Sequence, residues 1–130
     1  MDEALAAWLE RAVAHLITWP LSRHVATEYA ETGYGVAQYR VRVALVDGSL
    51  LQCVERARNL GGLLQTEKYS FHWQAADGTL ICRWDNAPHH HELPGFPHHL
   101  HVGTEANVFT HNPVTVFTLT ELIENRFSAP

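Results

Sequence analysis

A histidine-rich segment contains the residue types in this sequence that are best suited to chemistry. The stretch RWDNAPHHHELPGFPHHLH, residues 83–101, places six histidines among nineteen residues, together with three prolines. Histidine titrates near neutral pH and is also a common metal ligand. The segment could therefore bind a metal ion, transfer protons in a reaction, or form an inert surface loop.

A metal site is one interpretation, because residues 89–91 with His98, His99 and His101 offer more nitrogen donors than zinc requires. Zinc sites need three or four ligands in fixed geometry, each oriented by a further hydrogen bond. The sequence contains no HExxH motif, and both cysteines lie in strand-like runs. We therefore assign no metal ligand and predict no cofactor, with zinc kept as part of an alternative.

Acid–base chemistry on RNA is a second interpretation. A ribonuclease without a metal requires a base for the 2′-hydroxyl proton, an acid for the leaving oxygen and cations for the phosphate charge. The histidines can supply the base and the acid, and Arg83 with Lys68 supplies positive charge. Asp85 could orient a histidine ring. Three consecutive histidines cannot all point at one place, so at least one is expected to be inert, and we assign no role to His91.

The composition constrains the class of protein. A chain of 130 residues with 46% hydrophobic residues fits one domain, residues 1–130. The net charge of −5 argues against a wholly basic surface, but not against a local basic face. No secretory signal and no membrane-length apolar run is apparent, so we expect a soluble cytoplasmic protein without a membrane partner. Cys53 and Cys82 are predicted to be reduced, inaccessible strand residues.

Helices are predicted near both ends of the chain. Apolar residues recur at three- and four-residue spacing over residues 3–18, and Pro20 ends that helix. Thr118 and Glu121 have the spacing of a capping box for a closing helix that runs to residue 127. Residues 114–117 are assigned to a short strand, and residues 86–103 to a loop.

Two Asp-Gly pairs, at 47–48 and 77–78, predict β-hairpins. Runs of alternating polarity flank both pairs, and such pairs favour two-residue turns. The turn length fixes which residues face each other across the hairpin. Counting outward from the two turns gives eight facing pairs. In the first hairpin they are Arg40 with Glu55, Val41 with Val54, Arg42 with Cys53, and Leu45 with Leu50; in the second they are Ser70 with Asp85, Phe71 with Trp84, His72 with Arg83, and Trp73 with Cys82.

The predicted sheet has one apolar face, which should meet the helices, and one polar face that is rich in cations. We expect the histidine-rich segment to return over the polar face and bring His98, His99 or His101 near Arg83 and Asp85. The sequence thus predicts an α+β domain, in which N-terminal and C-terminal helices pack on one face of a mostly antiparallel meander sheet of four to five strands. The polar face is predicted to carry Gln38, Arg40, Arg42, Lys68, His72 and Arg83.

The stretch YSFHWQAADGTLICRWDNAPHHHELPGFPHHLH, residues 69–101, resembles the central signature of the TumE family, small prokaryotic toxins of toxin–antitoxin pairs. The shared pattern is an aromatic strand, an Asp-Gly turn, an Arg-x-Asp-Asn strand end, paired histidines and Phe-Pro-His-His-x-His. Leu100 departs from it, because a basic residue is expected there, and His91 and Gly95 are also local to this chain. The similarity extends loosely over most of the sequence. The matching residues are Tyr69, Arg83, Asp85, Asn86, His89, His90, Pro97, His98, His99 and His101.

The resemblance implies the toxin of a type II toxin–antitoxin module, with a cognate antitoxin as partner. We interpret it as a metal-independent endoribonuclease with an RNA target, and we leave a homodimer open. The alternative is a non-catalytic binding module whose histidine-rich segment holds a metal ion, such as zinc, or a protein partner. The candidate catalytic residues are Arg83, to stabilise phosphate charge, Asp85, to orient a histidine, and His98, His99 and His101, for proton transfer or phosphate contact. The candidate substrate-binding residues are Lys68, His72, Asn86, His89 and His90.

Overall fold

Two helices and one open antiparallel sheet of seven strands make up residues 2–128, the part of the chain that this computed structural model describes. Each strand pairs with the next along the chain, so the sheet is a meander. The α+β prediction is confirmed. The predicted four to five strands are too few, because residues 99–102 and 108–110 also join the sheet. The elements are α1 (Glu3–Thr18), β1 (Ser22–Gly33), β2 (Val36–Leu45), β3 (Leu50–Leu60), β4 (Leu63–Gln74), β5 (Leu80–Asp85), β6 (His99–Val102), β7 (Val108–Thr110) and α2 (Val116–Ser128).

Helix α1 follows the predicted apolar spacing. Its buried residues, Leu5, Trp8, Ala12 and Leu16, recur every three or four positions and form one stripe against the sheet. The Asp2 carboxylate accepts a hydrogen bond of 3.1 Å from the Leu5 amide and so caps the first turn. Within the described residues, neither helix is long and apolar enough to cross a membrane.

Helix α2 begins at Val116, inside the segment that was predicted to be a strand. Thr115 and Thr118 form the reciprocal capping pair: the Thr115 amide donates to the Thr118 hydroxyl at 3.0 Å, and the Thr118 amide donates to the Thr115 hydroxyl at 3.4 Å. The cap therefore lies three residues earlier than the predicted one at Thr118 and Glu121. The predicted strand is wrong because the Thr115 hydroxyl accepts from the Thr118 amide and so caps a helix, which β-propensity does not reveal.

The first hairpin has a three-residue loop instead of the predicted two-residue turn. The Leu45 amide bonds the Ser49 carbonyl at 2.9 Å, which leaves residues 46–48 as the loop, and Gly48 has a φ of 88°. A glycine with positive φ in the last loop position is typical of such three-residue loops. The longer loop shifts the register by one residue, so that Cys53 faces Val41 and Glu55 faces Tyr39. The four pairs predicted for this hairpin, among them Arg40–Glu55 and Arg42–Cys53, are therefore wrong.

The second hairpin also has a three-residue loop, yet its predicted register is confirmed. The Ala75 amide bonds the Thr79 carbonyl at 2.8 Å, so the predicted two-residue turn is wrong here too. Ile81 is an extra residue that compensates for the longer loop, because Gln74 pairs with Leu80 while Trp73 pairs with Cys82. Phe71 consequently faces Trp84 on the apolar side, as predicted.

The apolar face of the sheet holds both helices, as predicted. Trp8 of α1 packs on Tyr39 with ring centroids 5.7 Å apart, and Phe127 of α2 stacks on Trp73 at 5.9 Å. Cys53 and Cys82 are free thiols buried on this face, which confirms the predicted inaccessibility. Burial also raises the pKa of the Cys82 thiol, which disfavours its reactive thiolate.

The corrected register places the Glu55 carboxyl in the core, where it is almost fully buried. It accepts hydrogen bonds from the Tyr39 hydroxyl at 2.6 Å and from the Thr66 hydroxyl at 3.1 Å. Burial nevertheless raises the pKa of Glu55, because an ionised carboxylate loses its hydration there and the hydrogen bonds offset only part of that loss.

Glu55→Gln is expected to increase the free energy of unfolding at neutral pH. Because the folded-state pKa of Glu55 is raised, its contribution to stability is fully present below the unfolded pKa of about 4.3 and is lost as the pH rises through the folded pKa. The neutral amide does not undergo this loss and still accepts from Tyr39. Urea unfolding across the acidic to neutral range checks the prediction. Identical pH dependence of the unfolding free energy in both proteins would contradict it.

Candidate active site at strands five and six

The histidine-rich segment leaves the sheet at the end of β5 and returns as β6, directly beside β5. Asp85 pairs with His99 and Arg83 pairs with His101 across the two strands. The predicted proximity of these histidines to Arg83 and Asp85 is confirmed. The return differs from the prediction in one respect: residues 99–102 enter the sheet as a strand instead of folding over its face as a loop.

Strand alternation separates His98 from the other two histidines. Side chains on a strand point alternately to the two faces. His99 and His101 face the polar side with Arg83 and Asp85, whereas His98 lies against Tyr69, whose hydroxyl is 2.8 Å from the His98 Nδ1. Burial raises the pKa of Tyr69 to about 12, so its hydroxyl keeps its proton. His98 is therefore held away from the cluster to which the sequence assigned it.

The Asp85 carboxylate lies at the centre of the polar cluster and is buried. Its Oδ2 accepts from the Arg83 Nε at 3.0 Å, and its Oδ1 accepts from the Ala87 amide at 3.0 Å. The same Oδ1 lies 2.9 Å from the His99 Nε2. This carboxylate thus fixes the arginine, the histidine and the first turn of the loop, an arrangement consistent with the predicted orienting role.

Both ring nitrogens of His99 face oxygen acceptors. The Nδ1 lies 2.8 Å from the Pro97 carbonyl, and the Nε2 lies 2.9 Å from the Asp85 carboxylate. Because a carbonyl oxygen can only accept, the Nδ1 carries a hydrogen, and a hydrogen on the Nε2 completes the second bond. The contacts thus hold the ring at both nitrogens, with Asp85 beside it beneath the surface.

His101 has a different hydrogen-bond pattern. Its Nδ1 donates to the Glu105 carbonyl at 2.8 Å, so the lone pair of a neutral ring lies on the Nε2. That Nε2 faces the Arg83 Nη2 at 3.2 Å, which can donate but not accept. Burial lowers the pKa of His101, and the positive charge of Arg83 acts in the same direction. The geometry therefore fits a neutral imidazole whose Nε2 lone pair accepts a hydrogen bond from Arg83.

Glu105 is a site residue that the sequence did not reveal. Its carboxylate binds the guanidinium of Arg83, with the Nη1 at 2.7 Å from the Oε1, while its carbonyl orients His101. The arginine side chain is consequently held at both ends but keeps about a quarter of its surface, 26%, exposed. The only sequence signal was the position of Glu105 four residues after His101, which did not indicate that the turn folds back over the pocket.

One histidine of the 89–91 triplet points into the cluster. The His90 ring lies 5.2 Å from that of His99 and 5.8 Å from that of His101, measured between centroids. Its backbone has a φ of 60°, a left-handed conformation that costs a non-glycine residue about 1–2 kcal/mol. His91 instead stacks on Phe96, with centroids 4.2 Å apart, outside the cluster.

A pocket of about 560 Å³ opens over the cluster. Of the predicted catalytic residues, all but His98 line it, as do three of the predicted substrate-binding residues. His72 instead bonds Gln74, and the Asn86 amide extends the strand pairing by accepting from the Tyr69 amide at 2.9 Å. The lining residues are Lys68, Tyr69, Ser70, Arg83, Asp85, Ala87, His89, His90, His99, His101 and Glu105.

Comparison with known protein families identifies one matching family. A family model described as Toxin TumE matches residues 13–128, which covers both hairpins, the whole site and the closing helix. Neither the curated proteins nor the solved structures that were searched give a significant match. The match spans most of the chain, including every residue that lines the pocket.

Proposed function

The chain belongs to the TumE family of toxins of toxin–antitoxin systems, and we propose that it is the toxin of a type II module that cleaves RNA without a metal ion. Family membership implies a cognate antitoxin as its protein partner. The observation that carries the proposed activity is the pocket in which the Nε2 of a neutral His101 lies 3.2 Å from the Arg83 guanidinium, which would turn towards a bound phosphate and so free the Nε2 lone pair.

The proposed reaction is attack of the RNA 2′-hydroxyl on the adjacent phosphorus. The His101 Nε2 removes the hydroxyl proton, the 2′ oxygen bonds to phosphorus, and the bond from phosphorus to the 5′ oxygen breaks. His90, half-exposed at the pocket and 3.2 Å from the Glu92 carboxylate, supplies a proton to that leaving oxygen when its ring is protonated. The products are a 2′,3′-cyclic phosphate and a 5′-hydroxyl end.

Negative charge grows on the phosphate oxygens during this attack, and the pocket contains cations to oppose it. Arg83 is partly exposed and fixed by Asp85 and Glu105, so it needs little rearrangement to stabilise the charge. Lys68 lines the same pocket and would contact the phosphate backbone. His99 lies deeper, and its pairing with Asp85 suits a positioning role instead of direct contact.

A path for the RNA strand is supported by the polar face of the sheet. A continuous cross-strand row runs over five strands to the pocket: Arg42, Gln52, His72, Arg83 and His101. Arg56 and Lys68, paired across β3 and β4, lie four residues further along these strands. Glu28 pairs with Arg42 and Glu67 pairs with Arg56, and RNA phosphates would replace these carboxylates as partners of the arginines.

Cleavage of RNA in the presence of a chelator tests the proposal. Untagged protein in excess EDTA is expected to cut RNA and to leave 5′-hydroxyl ends that a polynucleotide kinase labels directly. Ends that carry 5′-phosphate would contradict attack by the 2′-hydroxyl, and activity that vanishes in EDTA and returns with zinc would contradict a metal-free reaction. RNA with 2′-deoxy substitution at the cleaved position is the matched control and should stay intact.

The alternative function is a non-catalytic binding module, and one observation favours it: three histidine nitrogens converge at the pocket. Under that alternative, the folded protein would leave RNA uncut both with and without EDTA. Under the proposed function, it cuts RNA in EDTA.

A further inference from the structure

We propose that His90, His99 and His101 form a zinc-binding site, with the Asp85 carboxylate as the fourth ligand. One ring nitrogen from each of the three histidines lies within 4.8 Å of the other two. The Asp85 Oδ1 lies 2.9 Å from the His99 Nε2, and its Oδ2 lies 3.7 Å from the His101 Nε2. Three imidazoles and a carboxylate are a donor set that suits tetrahedral zinc.

The second observation is the orientation of the three rings. Each Nδ1 faces an oxygen acceptor: the Pro97 carbonyl for His99 and the Glu105 carbonyl for His101, both at 2.8 Å, and the Glu92 carboxylate for His90, at 3.2 Å. Histidines that bind zinc donate their other ring nitrogen to a carbonyl or carboxylate, which fixes the tautomer and directs the lone pair at the metal. The outer hydrogen bonds that orient zinc-binding histidines are therefore already formed by all three residues.

Small movements suffice to bring the ligands to zinc. Zinc–nitrogen bonds of about 2.0–2.1 Å in a tetrahedron separate the ligand nitrogens by roughly 3.4 Å. The three nitrogens, which lie within 4.8 Å of one another, must therefore approach each other by at most roughly 1.4 Å. His99 and His101 lie on one rigid strand and face the same side. His90 lies in the loop, keeps a side-chain exposure of 33%, and has a left-handed backbone, so the loop supplies the adjustment.

The charges near the site allow a divalent cation to bind. Zinc would take the place of the contact between the His99 Nε2 and the Asp85 carboxylate, and that carboxylate offsets part of the charge of the ion. Arg83 must withdraw its Nη2 from the His101 Nε2, and it can do so while keeping its bonds to Asp85 and Glu105. Those two carboxylates offset the charge of the arginine and of the metal.

Zinc binding would switch off the reaction, a consequence that rests on the proposed function. The ion occupies the His101 Nε2, which is the base, and closes its own coordination with Asp85, which leaves no open position for a reactive water. The zinc-loaded protein is thus the inactive form, and the metal-free protein is the active one.

Metal binding is tested on chain prepared without a polyhistidine tag and stripped of metal by a chelator. Competition with a chromophoric zinc indicator is expected to give one zinc per chain, and Co²⁺ substitution should give the visible absorption of a tetrahedral centre. His90→Ala is expected to weaken zinc binding on the order of a hundredfold or more, since loss of an outer-shell partner alone costs about 10–100-fold. Because His90 is half-exposed, the variant should stay folded, which thermal unfolding checks.

His91→Ala is the matched control, since it removes the adjacent histidine, which stacks on Phe96 outside the cluster. It should bind zinc as the unaltered chain does. Equal loss of zinc affinity in the two variants, or no stoichiometric zinc on the unaltered chain, would overturn the site.

In a separate cleavage assay, one equivalent of zinc should suppress activity and EDTA should restore it. If zinc binds but does not suppress RNA cleavage, the proposed inhibition by zinc is wrong. If zinc binds and RNA is cut neither with nor without it, the proposed function is wrong, but the zinc site is still supported.

Discussion

His101→Asn is expected to abolish RNA cleavage by the purified protein and growth inhibition in cells, while the protein stays folded. The asparagine amide can still donate to the Glu105 carbonyl, which the His101 Nδ1 now contacts at 2.8 Å. It has no basic lone pair in place of the Nε2. Loss of a general base lowers rates by about a hundredfold to ten-thousandfold, which is the expected loss in the cleavage rate constant.

His98→Ala is the matched control for that variant, although the sequence places both histidines in the same catalytic group. His98 lies on the opposite face of the sheet against Tyr69, so its loss should leave the cleavage rate within a few-fold of that of the unaltered chain. Thermal unfolding establishes that both variants fold. Full activity in folded His101→Asn would remove His101 from proton transfer, and an inactive, folded His98→Ala would show that the face assignment does not decide function.

Much of the helical structure could be predicted because local rules agree there. The apolar spacing of α1 and its Asp2 cap act within one or two turns, and the one distant partner of Asp2 among the described hydrogen bonds, the Asn59 amide at 2.7 Å, leaves the cap in place. The predicted start of α2 was wrong because residues 114–117 have the composition of a strand. In the structure, Thr115 and Thr118 bond each other and cap the helix there. Capping by two threonines leaves a weaker sequence pattern than the threonine–glutamate pair three residues later.

Hairpin register was the least predictable part of the sheet. An Asp-Gly pair fits both a two-residue turn and the last two positions of a three-residue loop. Val46 is apolar, so it read as a strand residue although it is exposed and lies in the loop. Counting Val46 as a strand residue shifted the predicted register by one, which placed the side chains of Cys53 and Glu55 on the wrong face of the sheet. In the second hairpin the extra residue Ile81 cancelled the same error.

The site was predictable in composition but not in geometry. Arg83 and Asp85 could be assigned to one face by alternation along β5, and the adjacent histidines were the obvious partners. Strand β6 is only four residues long and follows a loop that contains three prolines, so its alternation could not be recognised. The separation of His98 from His99, and the closing of the pocket by Glu105, follow from that strand and its turn.

Arg83→Ala is expected to lower the cleavage rate constant by about a hundredfold or more, with a much smaller change in KM, since loss of one preorganised charge-stabilising group has that effect. The guanidinium bonds Asp85 and Glu105 and faces His101, so its position over the pocket is fixed before substrate arrives. An interaction made mainly in the transition state affects the rate constant more than substrate binding. Single-turnover kinetics with saturating protein separate the two quantities.

Two further variants control the Arg83→Ala result. Arg83→Lys keeps the charge but cannot span Asp85 and Glu105 together, so we expect it to recover only part of the lost rate. Arg11→Ala removes the same charge from an exposed position on α1 and should leave the rate unchanged, which excludes an effect of net charge. Urea unfolding of each variant checks the fold, because Asp85 keeps its contacts with His99 and Ala87 when the arginine is lost. If Arg83→Ala raises KM and leaves the rate constant intact, the arginine binds RNA but does not stabilise the transition state, and the charge stabilisation must then come from Lys68 or His90, which line the same pocket.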